Sequence, residues 1–228
     1  MNFETTKQRI LTEALKLFSQ NGYEAVSVEQ IANAVGIKAP SLYKHYKGKR
    51  DIFDHILERM NEMDADRAKE YKMPEGELNE IAALYSKTPF DKIKTYSIAQ
   101  FLHWTEERFS SDFRKMLTLE QYRTPEMLQL YQKYLATGPL QYMAEIFERM
   151  TGSQTDAMQL ALEFYGPIYL LYSVYDGAND REKMIDLLNH HIDCFAQQMN
   201  RAMKKEAAEF PKEAGSRIRQ STLRPTQD

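Results

Sequence analysis

The chain is poor in the features that mark secreted and membrane proteins. Cys194 is the only cysteine among 228 residues, which excludes an internal disulfide and is expected in a reducing cytoplasm. No run of about 18 apolar residues occurs, so no membrane-spanning helix is predicted. The first residues are polar or acidic and lack the apolar segment of a signal peptide. We therefore expect a cytoplasmic protein.

Motifs of catalysis and metal binding are also missing. The sequence contains no nucleophile elbow, no phosphate-binding glycine loop and no zinc-ligand spacing. His190 and His191 would point about 100° apart on a helix, which is a poor arrangement for sharing one ion. Cys194 has no cysteine partner, which disfavours a redox switch. We expect no cofactor, no metal ion and no enzymatic activity.

Positive charge is concentrated near the amino terminus. Residues 1–50 contain eight cations and four acids, a net charge of +4, and the whole chain has a net charge of -3, so the remainder sums to -7. Between Ile37 and Arg50 there are five cations and no acid. A basic segment on an acidic body is typical of a protein that binds a polyanion at one end. An ordinary solvated surface is the alternative that charge alone leaves open.

The first two predicted helices have clear start and stop signals. Thr5 or Thr6 can cap a first helix, and Gly22 can end it in a left-handed conformation. Ser27 and Gln30 have the spacing of a capping box that opens a second helix. Strand-like alternation is scarce, so the sequence predicts an all-α fold.

A third and a fourth helix follow at once. Gly36 is expected to make the turn, and Pro40 fits the first turn of a third helix over residues 39–46. Leu42 and Tyr46 are four residues apart and are expected to face a small core. Gly48 is expected to cap a fourth helix. The second and third helices thus have the pattern of a helix-turn-helix.

Helical periodicity continues beyond Gly76. Predicted helices cover residues 81–85, 90–109, 111–122, 125–150 with a break near Gly138-Pro139, 154–175 and 182–205. Gly166-Pro167 is expected to kink its helix. We divide the chain into a helix-turn-helix domain of residues 1–50, a helical body of residues 51–206 and a polar tail of residues 207–228, which is expected to be disordered.

The outward residues of the helix-turn-helix suit a DNA groove. Such a reader needs a short helix with an apolar side on a core and small, hydroxyl, aromatic or basic side chains outward. Hydroxyl and cationic groups would bond phosphates, and small apolar groups would contact thymine methyls. The candidate DNA-binding residues are Ser27, Lys38, Ala39, Pro40, Ser41, Tyr43, Lys44, His45, Lys47 and Lys49.

Residues 5–60 resemble the N-terminal domain of TetR-family transcriptional regulators. The resemblance rests on Val28-Glu-Gln-Ile-Ala, Val35-Gly-Ile, Ser41-Leu-Tyr-Lys-His-Tyr and Lys47-Gly-Lys-Arg-Asp-Ile-Phe. It implies a homodimer, usually a repressor, that a small molecule releases from operator DNA. It also implies that the side chains at positions 41 and 43 contact the operator, and that Lys49 opens the fourth helix against a phosphate. Glu29 departs from the basic residue that some members carry.

The body is expected to dimerise and to bind an effector. In the family that this chain resembles, the last two helices form an intersubunit four-helix bundle. The candidate interface residues are Met158, Leu162, Tyr169, Leu187, Leu188, Ile192, Phe195 and Met199. The same stripes would also suit packing within one chain. Aromatic and methionine side chains in the middle helices suit an apolar cavity for an apolar or aromatic effector, although most must be ordinary core. The candidate pocket residues are Trp104, Phe113, Phe147 and Tyr165.

The sequence therefore predicts a dimeric, effector-responsive regulator of transcription that binds a palindromic operator. We expect the effector to shift the fourth helix and so change the spacing of the two DNA-binding domains. A regulator that activates, or that has no effector, is an alternative. A helical protein-interaction module without DNA binding is another.

Overall fold

The computed structural model describes residues 5–74, 76–85 and 87–209, and these residues form α-helices and no strands. This confirms the predicted all-α class. The helices are α1 (Thr6–Asn21), α2 (Val28–Val35), α3 (Ala39–Leu42), α4 (Lys49–Glu70), α5 (Leu78–Tyr85), α6 (Phe90–Thr105), α7 (Arg108–Glu120), α8 (Pro125–Leu135), α9 (Thr137–Thr151), α10 (Gln154–Gly177) and α11 (Arg181–Glu209).

Capping boxes start both of the first two helices. The Thr5 hydroxyl accepts the Gln8 N–H at 3.2 Å, and the Thr5 N–H donates to the Gln8 side chain at 2.9 Å. Ser27 and Gln30 repeat this arrangement at α2, as their spacing predicted. Each box satisfies N–H groups that a helix start leaves without partners. The ends of α1 and α2 are therefore set by local chemistry.

The amino-terminal helices and the body share one hydrophobic core. Ile10, Phe18 and Phe53 have no exposed surface, and they belong to the same buried cluster as Phe113 of α7. Helix α1 packs against α2, α4 and α7. We call residues 5–48 the head and the helices from α4 onward the body. Because this single core contains residues of the head and of the body, the head is not an independent globule.

The helix predicted over residues 90–109 begins at Phe90 as expected, but its predicted end is wrong, since the structure has a break after Thr105. Glu107 is extended, with φ -71° and ψ 117°, and the next helix begins at Arg108. Buried Arg114 stabilises this break: its Nε donates to the Trp104 carbonyl at 2.9 Å, near the end of α6. A tertiary hydrogen bond thus replaces the glycine or proline that would have made the break visible in the sequence.

Two other helix boundaries also differ from the prediction. The α8–α9 break lies at Ala136 rather than at Gly138-Pro139. A Cβ at Gly138 would lie 2.0 Å from the Lys133 carbonyl oxygen, so the close approach of the two helices requires glycine there. In the head, α3 is shorter than residues 39–46, because turns replace the α-helix after Leu42.

Helices α10 and α11 close the fold. Pro167 lies inside α10. Helix α11 extends to Glu209, three residues into the segment predicted as a disordered tail, and residues 210–228 of that segment lie outside the described residues. Among the described helices, none combines the length and apolarity that a bilayer crossing would need.

Candidate nucleic-acid interface

Two buried side chains fix the short helix α3 and the turns after it. Leu42 has no exposed surface and Tyr46 is 2% exposed. The Tyr46 hydroxyl donates to the Lys7 carbonyl at 3.1 Å, and burial raises the pKa of Tyr46 to about 12. The Arg9 Nη2 donates to the Val35 carbonyl at 2.7 Å and ties α1 to the end of α2. The segment after Gly36 is therefore held against α1 from both sides.

The outward side of this segment carries most of the predicted DNA-binding residues. Tyr43 is 53% exposed, and Ala39 and Ser41 are half-buried. Lys38, Pro40, Lys44, His45 and Lys47 are exposed as well. In the part of the chain that the structure describes, none of these three lysines has an ion-pair partner. We define the reading surface as Lys38, Pro40, Ser41, Tyr43, Lys44, His45 and Lys47. It offers three unpaired cations beside an aromatic hydroxyl.

Ser27 lies at the exposed N-terminus of α2 with part of its bonding capacity already used. Its hydroxyl accepts the Gln30 N–H at 3.2 Å, and its own N–H donates to Gln30 Oε1 at 2.7 Å. The N–H is therefore committed to the helix cap. The hydroxyl proton remains free to donate to an anion.

Lys49 differs most from its expected role. Its Nζ donates to the carbonyls of Tyr23 at 2.9 Å and Glu24 at 3.3 Å, and it lies 4.4 Å from the centre of the Tyr23 ring. The Glu24 carboxylate is 3.8 Å away. The ammonium therefore binds the α1–α2 loop, which we define as residues 22–26, and does not point freely outward. Residue type and position alone could not separate these two uses of one lysine.

Arg50 also forms ion pairs within the protein. Its guanidinium lies 2.8 Å from Asp54 and 2.7 Å from Glu126, and its hydrogen bond to Glu126 lowers the pKa of that carboxyl. Of the five cations between residues 37 and 50, Lys49 and Arg50 are thus paired. The positive field available to a polyanion comes from the three lysines of the reading surface. This field therefore comes from three cations and not from all five that the sequence places between residues 37 and 50.

A partly buried polar cluster joins α4 to α6 and to the start of α7. His103 Nδ1 lies 2.6 Å from Glu107 Oε2, and Arg67 Nη2 lies 2.8 Å from the same oxygen. Asp64 Oδ1 is 3.4 Å from His103 Nε2, and the Ser110 hydroxyl is 3.1 Å from that nitrogen. Sequence reasoning missed this cluster. The only local signal was the four-residue spacing of His103 and Glu107, because Asp64 and Arg67 come from a distant helix.

Several polar atoms in this region are buried without a partner. Asp64 Oδ1, Arg67 Nε and Gln100 Oε1 have no hydrogen-bond partner among the described residues. The same is true of Arg59 Nε, whose guanidinium lies 5.1 Å from the Phe109 ring centre. Buried polar groups are normally bonded. The α4–α6 contact therefore contains polar atoms that could form further hydrogen bonds.

The four predicted pocket residues do not surround one cavity. Trp104 and Phe113 are neighbours, with ring centres 6.3 Å apart, and both are buried in the main core. The Tyr165 hydroxyl donates to the Leu135 carbonyl at 2.8 Å. Phe147 packs in a different cluster, 5.7 Å from Phe195. In this structure these side chains fill the core.

A surface groove of about 550 Å³ lies instead between α10 and α11. Its lining residues are Gln159, Leu162, Glu163, Pro167, His191, Cys194, Phe195 and Gln198. Cys194 is exposed there, 3.5 Å from His190 Nε2. Within the described residues no group of three or more His, Cys, Asp or Glu side chains is arranged to hold a metal ion.

The predicted dimer residues fall into two groups. Leu188 and Ile192 have no exposed surface and pack inside the chain, and Phe195 and Met199 are buried in a second cluster. These four side chains therefore pack within their own protomer and are not exposed to a partner. The exposed members are Met158, Leu162, Tyr169 and Leu187.

Helix α10 also exposes two apolar side chains that sequence reasoning missed. Leu170 is 63% exposed, and Val174 is exposed too. Together with Met158 and Leu162 they follow at multiples of four residues, so they lie along one ridge of the helix, which turns about the helix axis by about 40° for every four residues. We call these four residues the α10 row.

Comparison with known proteins places the reading surface in a familiar domain. Residues 10–56 match the family described as bacterial regulatory proteins, tetR family. The chain is 44% identical over 55 residues to the HTH-type transcriptional regulator AcrR of Shigella flexneri, which is 24% of this chain and 26% of AcrR. It is 45% identical over 49 residues to the HTH-type transcriptional repressor ComR of Escherichia coli, covering 22% and 23% of the two chains. The chain thus spans about a quarter of the length of these relatives.

The fold comparison extends over the body. A TetR-like transcriptional regulator from Rhodococcus sp. RHA1 aligns with a TM-score of 0.59 over 84% of this chain and 96% of that chain, at 16% sequence identity. At this identity the likeness concerns the fold. Residues 10–56 thus match the tetR family of bacterial regulatory proteins, and 84% of the chain shares the fold of a TetR-like regulator.

Proposed function

We propose that the protein is a cytoplasmic transcriptional regulator that binds a palindromic DNA operator as a homodimer through the reading surface. One observation carries the proposal: Tyr43 and three unpaired lysines project outward from a segment that Leu42 and Tyr46 hold in place. A helix-turn-helix reads the major groove in this way, with cations and hydroxyls on phosphates. Enzymatic activity is no part of the proposal.

The α10 row supports the homodimer. Water-exposed apolar side chains arranged along one helix are typical of a surface that a partner covers. A two-fold dimer would place its heads on half-sites about 34 Å apart, or a multiple of that distance. We therefore include the dimer in the proposal, with α10 and the exposed Leu187 of α11 as its interface.

We further propose that the regulator represses transcription and that a small molecule releases it. ComR is named a repressor, which motivates the direction of the effect. Arg67 Nε and Gln100 Oε1, buried without a hydrogen-bond partner among the described residues, support an effector with polar groups in addition to an aromatic part. Such a ligand would change how α4 packs and hence where the head lies.

Footprinting tests the DNA part of the proposal. Purified protein is incubated with DNA that flanks its own gene, at several salt concentrations. We expect stoichiometric protection of a palindrome that Tyr43→Ala weakens about tenfold with the thermal midpoint unchanged. Tyr122→Ala removes a tyrosine that is 88% exposed on the body, and it serves as the matched control. Absence of any protected sequence would favour the protein-interaction module instead.

A further inference from the structure

A buried carboxylate of the body bonds the backbone of the head. Glu120 is the last residue of α7 and only 1% exposed. Its Oε1 accepts the Tyr23 N–H at 3.1 Å and lies 3.2 Å from Arg123 Nε. A buried carboxylate is costly unless hydrogen bonds and a cation compensate it. Here one compensating bond comes from the α1–α2 loop of the head.

The carbonyl and the ring of Tyr23 are also held by neighbouring side chains. The carbonyl of Tyr23 accepts from Lys49 Nζ at 2.9 Å. The Tyr23 ring lies between Phe18 and Phe53, with ring centres 5.1 Å away on each side. Helix α7 thus holds the N–H of this residue, and α4 holds its carbonyl. One residue is therefore fixed by both helices that connect the head to the body.

Gly22 makes the approach of Glu120 possible. Its φ is +84°, and a Cβ at this position would lie 2.6 Å from Glu120 Oε1. Any other residue would strain the backbone and displace the carboxylate. The absence of a side chain at this position therefore lets the carboxylate reach the neighbouring N–H.

The loop leads directly to the start of α2. The Val26 N–H donates to the Tyr23 carbonyl at 3.4 Å, and Ser27, the next residue, is the N-cap of α2. Ser27, whose side chain is exposed, follows Tyr23 by four positions in the sequence. A displacement of the C-terminal end of α7 would consequently move the first turn of α2, even if α4 stayed in place.

We propose that Glu120 is a positioning residue for DNA binding, which acts through the Tyr23 N–H to set where α2 begins. The proposal rests on the proposed function and adds to it a route from body to head that runs through α7. Helix α7 borders the Arg67–His103–Glu107 cluster at its other end, since Glu107 is its N-cap. One helix therefore contacts both the polar cluster and the α1–α2 loop.

Three variants of the full-length protein test this role. Glu120→Leu removes the acceptor with little loss of volume, and Glu120→Gln retains an acceptor oxygen. Asp112→Ala is the matched control, because Asp112 also lies on α7 and bonds α1 through the Ser19 hydroxyl at 3.2 Å, but does not touch the loop. For each variant we would measure the thermal midpoint, operator affinity on the footprinted fragment and amide hydrogen exchange of residues 22–31.

We expect Glu120→Leu to weaken operator binding about tenfold and to accelerate exchange of the Tyr23 amide. Glu120→Gln should bind within about threefold of wild type, because its amide oxygen can accept the same N–H. Equal affinity of Glu120→Leu and wild type would overturn the positioning role, as would an equal loss in Asp112→Ala. A wild-type protein that binds no DNA would instead overturn the proposed function, and with it this extension.

Discussion

The head and the chain as a whole differ in how closely their sequences resemble known proteins of similar fold. In the head, capping boxes at Thr5 and Ser27 and a buried Leu42 define each element locally, and identity to relatives reaches 45% over 49 residues. In the body, a Rhodococcus regulator has the same architecture at 16% identity over the aligned chain. The fold is therefore retained where most of the aligned residues differ. We infer that the head carries a shared task, and the body carries what distinguishes this protein.

The largest expected effect comes from separating two copies of the body while the head stays folded. Leu170→Glu places a charge on the α10 row and should dissociate the proposed dimer. Operator affinity should then fall at least about 100-fold, because each head would bind a half-site alone. Sedimentation velocity and operator titration measure both effects. Leu128→Glu changes a leucine exposed on α8 and should do neither. A monomeric Leu170→Glu that binds as tightly as wild type would contradict the two-headed arrangement.

A smaller effect distinguishes Lys47, in the head, from Lys49, the first residue of α4. Lys47 is exposed and has no ion-pair partner among the described residues, so Lys47→Ala should lower the slope of log affinity against log salt by about 1. Lys49 binds loop carbonyls, so Lys49→Ala should leave that slope unchanged and lower the free energy of unfolding by about 1 kcal/mol. Titrations at four salt concentrations, with chemical unfolding of each variant, measure the difference. A reduced slope for Lys49→Ala would restore this lysine to the phosphate contacts.

The smallest expected effect concerns the anchor of the reading surface. Tyr46→Phe removes the hydrogen bond to the Lys7 carbonyl and should cost about 1 kcal/mol at neutral pH. Burial raises the pKa of Tyr46 above that of the unfolded chain, to about 12. The neutral phenol therefore contributes stability below about pH 10, and this contribution is lost as the pH rises through about 12. Urea unfolding at pH 7, 10 and 11.5 should show the difference between wild type and variant shrinking. A difference that is constant with pH would exclude this titration.

The predictability of each region followed the range of its interactions. Ser27 and Gln30 are three residues apart, and Leu42 and Tyr46 are four apart, so their roles could be inferred from spacing. The break at Glu107 could not, because it depends on Arg114 reaching back to the Trp104 carbonyl. Similarly, nothing local distinguishes an apolar residue that faces its own protomer from one that faces solvent.

The site was predictable in outline for the same reason. The outward position of Tyr43 follows from the inward position of its neighbour Leu42. The role of Lys49 depends on Tyr23, which lies 26 residues earlier in the chain. Only the folded structure brings the Tyr23 carbonyl oxygen to 2.9 Å from the Lys49 ammonium. The Asp64–His103 contact likewise joins two helices that are far apart in sequence. Short-range periodicity contains no information about such pairs.

The fixed position of Tyr43 has a consequence for the timing of DNA recognition. Because Leu42 and Tyr46 hold its backbone before any DNA arrives, the entropy of ordering this segment is lost during folding and not during association. We then expect the rate of association with DNA to depend on diffusion and on the three unpaired lysines. Substitutions of the outward side chains should change mainly the rate of dissociation. In the proposed complex with DNA, we therefore expect the outward side chains to set mainly the lifetime of the bound state, and the lysine charges to set the rate of association.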